Sequence, residues 1–105
     1  MSTSDLSFIG ELESIVRERL ANPRPQSYTA KLAAAGSKRI AQKVGEEGVE
    51  LALAAVSGDR DEIIDEAADL VYHLIVLLAE KDLSLADVGQ RLAARRSMQR
   101  QTPPD

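Results

Sequence analysis

Five carboxylates crowd the middle of the chain: Glu46, Glu47 and Glu50 in "KVGEEGVELALA", then Glu66 and Asp69 in "DEIIDEAADLVYHL". Both stretches have helical periodicity, and an α-helix turns about 100° per residue. Glu47 and Glu50 therefore lie within about 60° of each other, as do Glu66 and Asp69, so each pair shares a face. Gly58 stands eight residues from both Glu50 and Glu66, and eleven from both Glu47 and Asp69. Folding back at Gly58 brings these partners to matching heights, roughly 12 and 16 Å from the turn. Four carboxylates then form a square across a hairpin.

Two carboxylates about 4 Å apart repel by roughly 4 kcal/mol at an effective dielectric of 20. Protons or cations must balance such a cluster, and four acids sharing protons at neutral pH is the poorer solution. The ligands are all oxygen, which selects a hard cation, Mg²⁺ or Mn²⁺, over zinc or copper. Magnesium retains waters and shares its shell with phosphate, so the residues point to Mg²⁺-dependent phosphate transfer or hydrolysis. The bland alternative is a solvated helix face, since glutamate is a good helix former. Val49, Leu53, Val56, Ala67, Leu70 and Val71 count against it by placing apolar residues around the same segments.

Glu46 lies about 40° from Glu50 and is expected as a ligand edge, a second-metal ligand or a water-orienting base; pairing with Lys43 or Arg39 at the surface is the alternative. Lys31, Lys38, Arg39 and Lys43 precede the acids and are the candidates for holding substrate phosphates. Gly45 and Gly48 bracket the glutamates, either for close approach of a substrate or backbone or for tight helix packing. Tyr28 is read as an anchor of its short helix rather than a base-stacking ring. His73, the single histidine, is read first as a core or interface residue and second as a supporting partner of Asp69.

Positioning these groups requires helices, and no strand-like alternation persists in the sequence. Leu6, Ile9, Leu12, Ile15, Val16 and Leu20 make one apolar stripe, ended by the prolines of "ANPRPQ". Ser27 is expected to cap a short helix, "YTAKLAAA", which Gly36 stops; Ser37 is expected to cap the next, from Lys38 to about Ser57. After Gly58, Asp59 and Glu62 have capping-box spacing for a helix to about Lys81, and Ser84 with Asp87 starts an amphipathic helix ending near Met98. The expectation is an all-α antiparallel bundle of about five helices, two of them long and central. It forms one domain over residues 1–105, with a core of about 5–98 and a flexible tail at 99–105. The second long helix is apolar on more than one side (Ile63, Ile64, Leu70, Val71, Leu74, Leu78), more than so short a chain can cover. Completion by homo-oligomerisation, most simply a homodimer, follows.

The 105 residues carry a net charge of −4, which disfavours a nucleic-acid-binding face. The absence of cysteine removes thiolate zinc sites and disulfides and suits a reducing cytosol. The start lacks a signal-peptide pattern, and "LVYHLIVLLA" is too short to span a bilayer, so the expectation is a cytoplasmic protein with no membrane partner.

With these residues in place, the chain resembles the phosphoribosyl-ATP pyrophosphohydrolases, the histidine-biosynthesis branch of the MazG-like all-α nucleotide pyrophosphohydrolases. The resemblance covers roughly residues 8–96. Two adjacent glutamates, a third acid three residues on and Glu-x-x-Asp on the following helix mark the superfamily; Glu46, Glu47, Glu50, Glu66 and Asp69 fill every position. "SYTAKL" and "KRIAQKVGEE" point to the branch, and Gly48 replaces the alanine expected there. The resemblance implies Mg²⁺-dependent hydrolysis of a small nucleotide, phosphoribosyl-ATP, to phosphoribosyl-AMP and pyrophosphate in an oligomeric bundle. It implies Glu47, Glu50, Glu66 and Asp69 as metal ligands and Glu46 and Glu47 as catalytic. Some relatives fuse this domain to a cyclohydrolase with cysteine zinc ligands; lacking cysteine, this chain is expected to be monofunctional. The alternatives are a house-cleaning hydrolase of other nucleoside triphosphates, a helical dimerisation module without chemistry and, more remotely, a di-iron carboxylate bundle.

Overall fold

The prolines at 23 and 25 stop the first apolar stripe where expected. The computed structural model describes residues 6–101, and α1 runs Ser7–Ala21. Its Val16 is fully buried, with Ile9, Leu12 and Leu20 packed against the same core. In α2 (Tyr28–Ala35) the Ser27 hydroxyl accepts the Ala30 amide at 3.2 Å, satisfying an otherwise unpaired first-turn donor. Gly36 ends this helix at φ +98°, a conformation that disfavours any residue with a Cβ.

α3 (Ser37–Ser57) begins one residue earlier than expected, and Ser37 does not cap it. Gly36 already reverses the chain, so Ser37 becomes the first helical residue. Its hydroxyl instead donates to Glu80 Oε1 at 2.9 Å and accepts from Lys81 Nζ at 3.2 Å. A charged acceptor is the stronger partner, and the bond ties the start of α3 to the end of the next helix. Gly58 closes α3 in the left-handed region, φ +83°. Asp59 then caps α4 (Arg60–Glu80) by accepting from the amides of Asp61 and Glu62. Ser84 and Asp87 exchange side-chain-to-backbone bonds at 2.9 and 3.2 Å, a full capping box at the start of α5 (Leu85–Gln101).

α5 passes the expected stop near Met98 because Gln99, Arg100 and Gln101 favour helix; the prolines at 103 and 104 disfavour it only from residue 102 onward. Asp5, at the edge of the expected core, and residues 102–105 of the expected tail lie outside the described residues.

The long helices α3 and α4 pack against each other as an antiparallel hairpin, and α1 and α2 flank it. Val16, Leu32, Ile40, Ile75 and Val76 form the buried core, drawn from four helices. α5 is different. Its first turn is held: Leu85 packs on the core, its amide donates to Glu13 Oε2 at 2.8 Å, and Arg17 donates to the Leu83 carbonyl at 2.9 Å. From Ala86 to Gln99 every residue is exposed, so the amphipathic pattern of α5 buries no complete face within the chain, Val88 being its most covered large apolar residue there at 38% exposure. No described helix is long and apolar enough to cross a membrane.

Candidate active site

The hairpin turn at Gly58 sets the register of α3 against α4, and the register gathers the acids. Carboxylate oxygens of Glu47, Glu66 and Asp69 lie within 4.8 Å of one another. Glu50 stands outside that triple, but it is close enough to Glu66 for its charge to act on that carboxyl. All four acids of the expected square are therefore in one neighbourhood, as a triple with Glu50 against one corner.

Burial makes the cluster unusual. Glu47 is only 6% exposed, a rare position for an acid unless it is paired. One of its oxygens meets Lys43 Nζ at 3.2 Å; the other, Oε2, is buried with no hydrogen-bond partner. Glu66 Oε1 is buried and unpartnered too. Two orphaned carboxylate oxygens in one cluster are a cost that a bound cation removes. Burial first, then the charge and hydrogen bond of Glu50, push the Glu66 carboxyl above its usual range. The Lys43 ammonium moves the other way in cost: its hydrogen bond to Glu47 raises its pKa against the opposing effect of desolvation. An oxygen-only nest with unsatisfied buried oxygens fits a hard divalent ion.

Glu46 is at the rim, not in the triple. It accepts from Gln42 Nε2 at 2.9 Å and lies 3.8 Å from Lys43 Nζ, the surface pairing anticipated as its alternative. Of the four basic candidates, Lys43 is brought to the acids. Lys31, Lys38 and Arg39 are exposed and form no ion pair among the described residues; Lys38 and Arg39 lie about 12–14 Å of helix rise from Glu47.

The glycines and their apolar neighbours read differently in three dimensions. A Cβ at Gly45 or Gly48 would meet nothing within 4 Å, so neither permits tight packing within the chain. Val49, Leu53 and Val56, read as cover for the acids, are exposed at 60, 65 and 87%. They form an open apolar stripe beside the cluster.

A second group of residues sits one turn beyond Asp69. His73 is 6% exposed; its Nδ1 lies 2.7 Å from the Asp69 carbonyl and its Nε2 3.0 Å from the Tyr28 hydroxyl. Tyr28 stacks on Tyr72, whose hydroxyl bonds to Thr29 Oγ1. The anchoring role of Tyr28 is thus explicit, while the partner it anchors to was not legible from spacing alone.

Fold and site together define a class: an all-α protein whose central hairpin collects acids from two helices into one cation-fitting nest. Residues 9–96 match the phosphoribosyl-ATP pyrophosphohydrolase family, and the chain belongs to it. Among its relatives are bifunctional histidine biosynthesis proteins HisIE. That of Photobacterium profundum is 56% identical over 90 residues, covering 86% of this chain and 44% of the relative. That of Yersinia pestis is 54% identical over 94 residues (90% and 46%), and that of Escherichia coli O6:H1 57% over 88 (84% and 43%). The chain spans a little under half the length of these curated relatives.

Proposed function

We propose that this chain hydrolyses phosphoribosyl-ATP to phosphoribosyl-AMP and pyrophosphate, an early step of histidine biosynthesis, using Mg²⁺ or, as a substitute, Mn²⁺. The observation that carries the proposal is the Glu47–Glu66–Asp69 triple with two buried, unpartnered oxygens, one on Glu47 and one on Glu66, in a chain of this family.

In this reading Glu47, Glu66 and Asp69, with Glu50 against Glu66, hold the ion. When bound, Mg²⁺ supplies charge neutralisation for the triphosphate and acidifies water. Glu46, at the rim and half in solvent, takes the proton from the attacking water. The water oxygen bonds to phosphorus as the anhydride P–O bond breaks, and pyrophosphate departs with the electron pair. Lys43 is poised to exchange part of its contact with Glu47 for a phosphate oxygen, and Lys31, Lys38 and Arg39 extend the positive field towards the terminal phosphates.

The same proposal includes a single cytoplasmic domain working as a homodimer. The support for the dimer is the exposed stripe of Val49, Leu53 and Val56 together with the uncovered length of α5. Mg²⁺ and phosphoribosyl-ATP supplied to the purified chain should yield pyrophosphate and phosphoribosyl-AMP in equal amounts. A panel including dUTP and other nucleoside triphosphates tests the house-cleaning alternative: faster pyrophosphate release from any of these would replace the proposed substrate. A chain that neither binds divalent ions nor gains thermal stability from them would be the non-catalytic module.

A further inference from the structure

The site's cation-holding acids come from α3 and α4, yet α2 is fastened to the same place. Beside the Thr29–Tyr72 bond and the packing of Leu32, one of its fastenings runs through a buried imidazole whose two nitrogens have different partners. A carbonyl oxygen can only accept, so the 2.7 Å contact between His73 Nδ1 and the Asp69 carbonyl places the proton on Nδ1. With one proton on the ring, Nε2 is an acceptor, and the Tyr28 hydroxyl lies 3.0 Å from it as donor. Both neighbouring aromatic rings meet the imidazole edge-on, at centroid distances of 5.8 and 5.2 Å, so its plane is fixed as well as its tautomer. The anchor point on α4 is the peptide carbonyl of Asp69, whose own carboxylate belongs to the triple.

We infer that His73 is a positioning residue for the Asp69 turn, and that Tyr28 locks its ring in the orientation this requires. The inference rests on the proposed metal-dependent reading of the acids for its consequence, though not for its geometry. Both ring nitrogens are taken by protein partners, so His73 acts by holding the backbone from which one ligand projects and by registering α2 across that turn. Partners that orient ligating groups in this way typically change metal affinity about 10–100-fold when lost. An effect transmitted through a backbone carbonyl belongs at the lower end.

Replacing the ring can separate its two bonds. In His73→Asn the amide nitrogen takes the Nδ1 position and retains a donor for the Asp69 carbonyl. In His73→Gln the amide sits at the Nε2 position, retaining an acceptor for Tyr28 but losing the bond to Asp69. Mn²⁺ binding to the purified chain, followed by paramagnetic resonance at matched folded fraction, should weaken about tenfold in His73→Gln and return to within about threefold of the parent in His73→Asn. Tyr28→Phe, which removes one hydroxyl, should weaken binding about threefold. Equal losses in both His73 variants would make the residue a packing element only and overturn the inference. Unchanged affinity in both would overturn it as well.

A second measurement does not depend on metal at all. The chain has a single histidine, so the ring ¹⁵N spectrum of the ion-free protein reports His73 alone. The expected result is a neutral Nδ1–H tautomer, with the Nε2 resonance shifted in Tyr28→Phe. An Nε2–H tautomer would overturn the positioning role even in a chain that binds Mn²⁺ well. A chain that shows the Nδ1–H tautomer but binds no ion would instead defeat the metal-dependent reading, and with it the consequence claimed for His73.

Discussion

At the residue scale the acids divide by what the fold does to each. Asp69 and Glu50 are reachable from solvent, Glu66 is half-buried, and Glu47 is closed off except for Lys43. Replacing Glu50 or Asp69 with alanine should lower turnover at least about a hundredfold, with helicity by circular dichroism unchanged, since neither side chain fills the core. Near-normal turnover in either would remove it from the site. Glu66 carries a separate signature. Its carboxyl is raised by burial and by Glu50, so the folded, metal-free chain binds that proton more firmly than the unfolded chain does. The resulting stabilisation is complete below the ordinary glutamate range and is lost as pH rises through the raised value. Thermal melts of metal-free protein should therefore fall as pH climbs out of that range towards neutrality. Glu66→Gln should flatten that fall, and Mg²⁺ should reverse it by compensating the charge. A metal-free melting temperature that rises over the same interval would contradict the assignment.

At the element scale the hairpin is the device that makes the site, and its turn is built from two residues. Gly58 adopts φ +83°, where a side chain costs about 1–2 kcal/mol, and Asp59 caps α4 through two amides, worth about 1 kcal/mol. Gly58→Ala and Asp59→Ala should each lower the melting temperature by several degrees, at about 4–8 °C per kcal/mol for a domain of this size. Gly58→Asn should cost less than Gly58→Ala, because asparagine tolerates the left-handed region. Loss of the same stability in all three would mean that the turn conformation is not what matters. These features were legible in the sequence because turn and cap chemistry is local: Ser27, Gly58, Asp59 and the Ser84–Asp87 pair declare themselves within three or four positions. The register of the acids was legible too, since counting from Gly58 needs only helix rise. Ser37 was misread because its true partners, Glu80 and Lys81, are more than forty positions away. The bond between Tyr28 and His73 spans forty-five positions and was hidden for the same reason. The exposure of Val49, Leu53 and Val56 was hidden by a related limit: periodicity marks a face as apolar but not which chain covers it.

At the scale of the whole molecule, the chain is more open than a compact domain of its length. Its radius of gyration is 16.0 Å, against about 13 Å for a compact domain of about 100 residues. Its surface of 7688 Å² exceeds the roughly 5,800 Å² that scaling gives a folded monomer of 11.4 kDa. The excess, about 1,900 Å², is more than twice the roughly 800 Å² that each partner gives to a standard interface. Val49, Leu53 and Val56 recur at steps of four and three on α3, which makes them one continuous stripe and the seat that the proposed dimer would use. Gly45 lies one turn before Val49 with open space above it, which allows a neighbouring helix to approach closely there. A twofold arrangement would bury the stripe against itself or against the uncovered α5, and would close the solvent side of α3 next to Glu50. Sedimentation velocity at micromolar concentration should give the mass of a dimer. Leu53→Glu should shift it to the monomer, because burying an unpaired carboxylate in an apolar seam costs several kcal/mol. The monomer should stay helical, since Leu53 is outside the buried core, but melt at lower temperature because dimerisation no longer supports the fold. A parent chain that sediments as a monomer at the concentration where it turns over substrate would show that the open face of α3 serves something other than self-association.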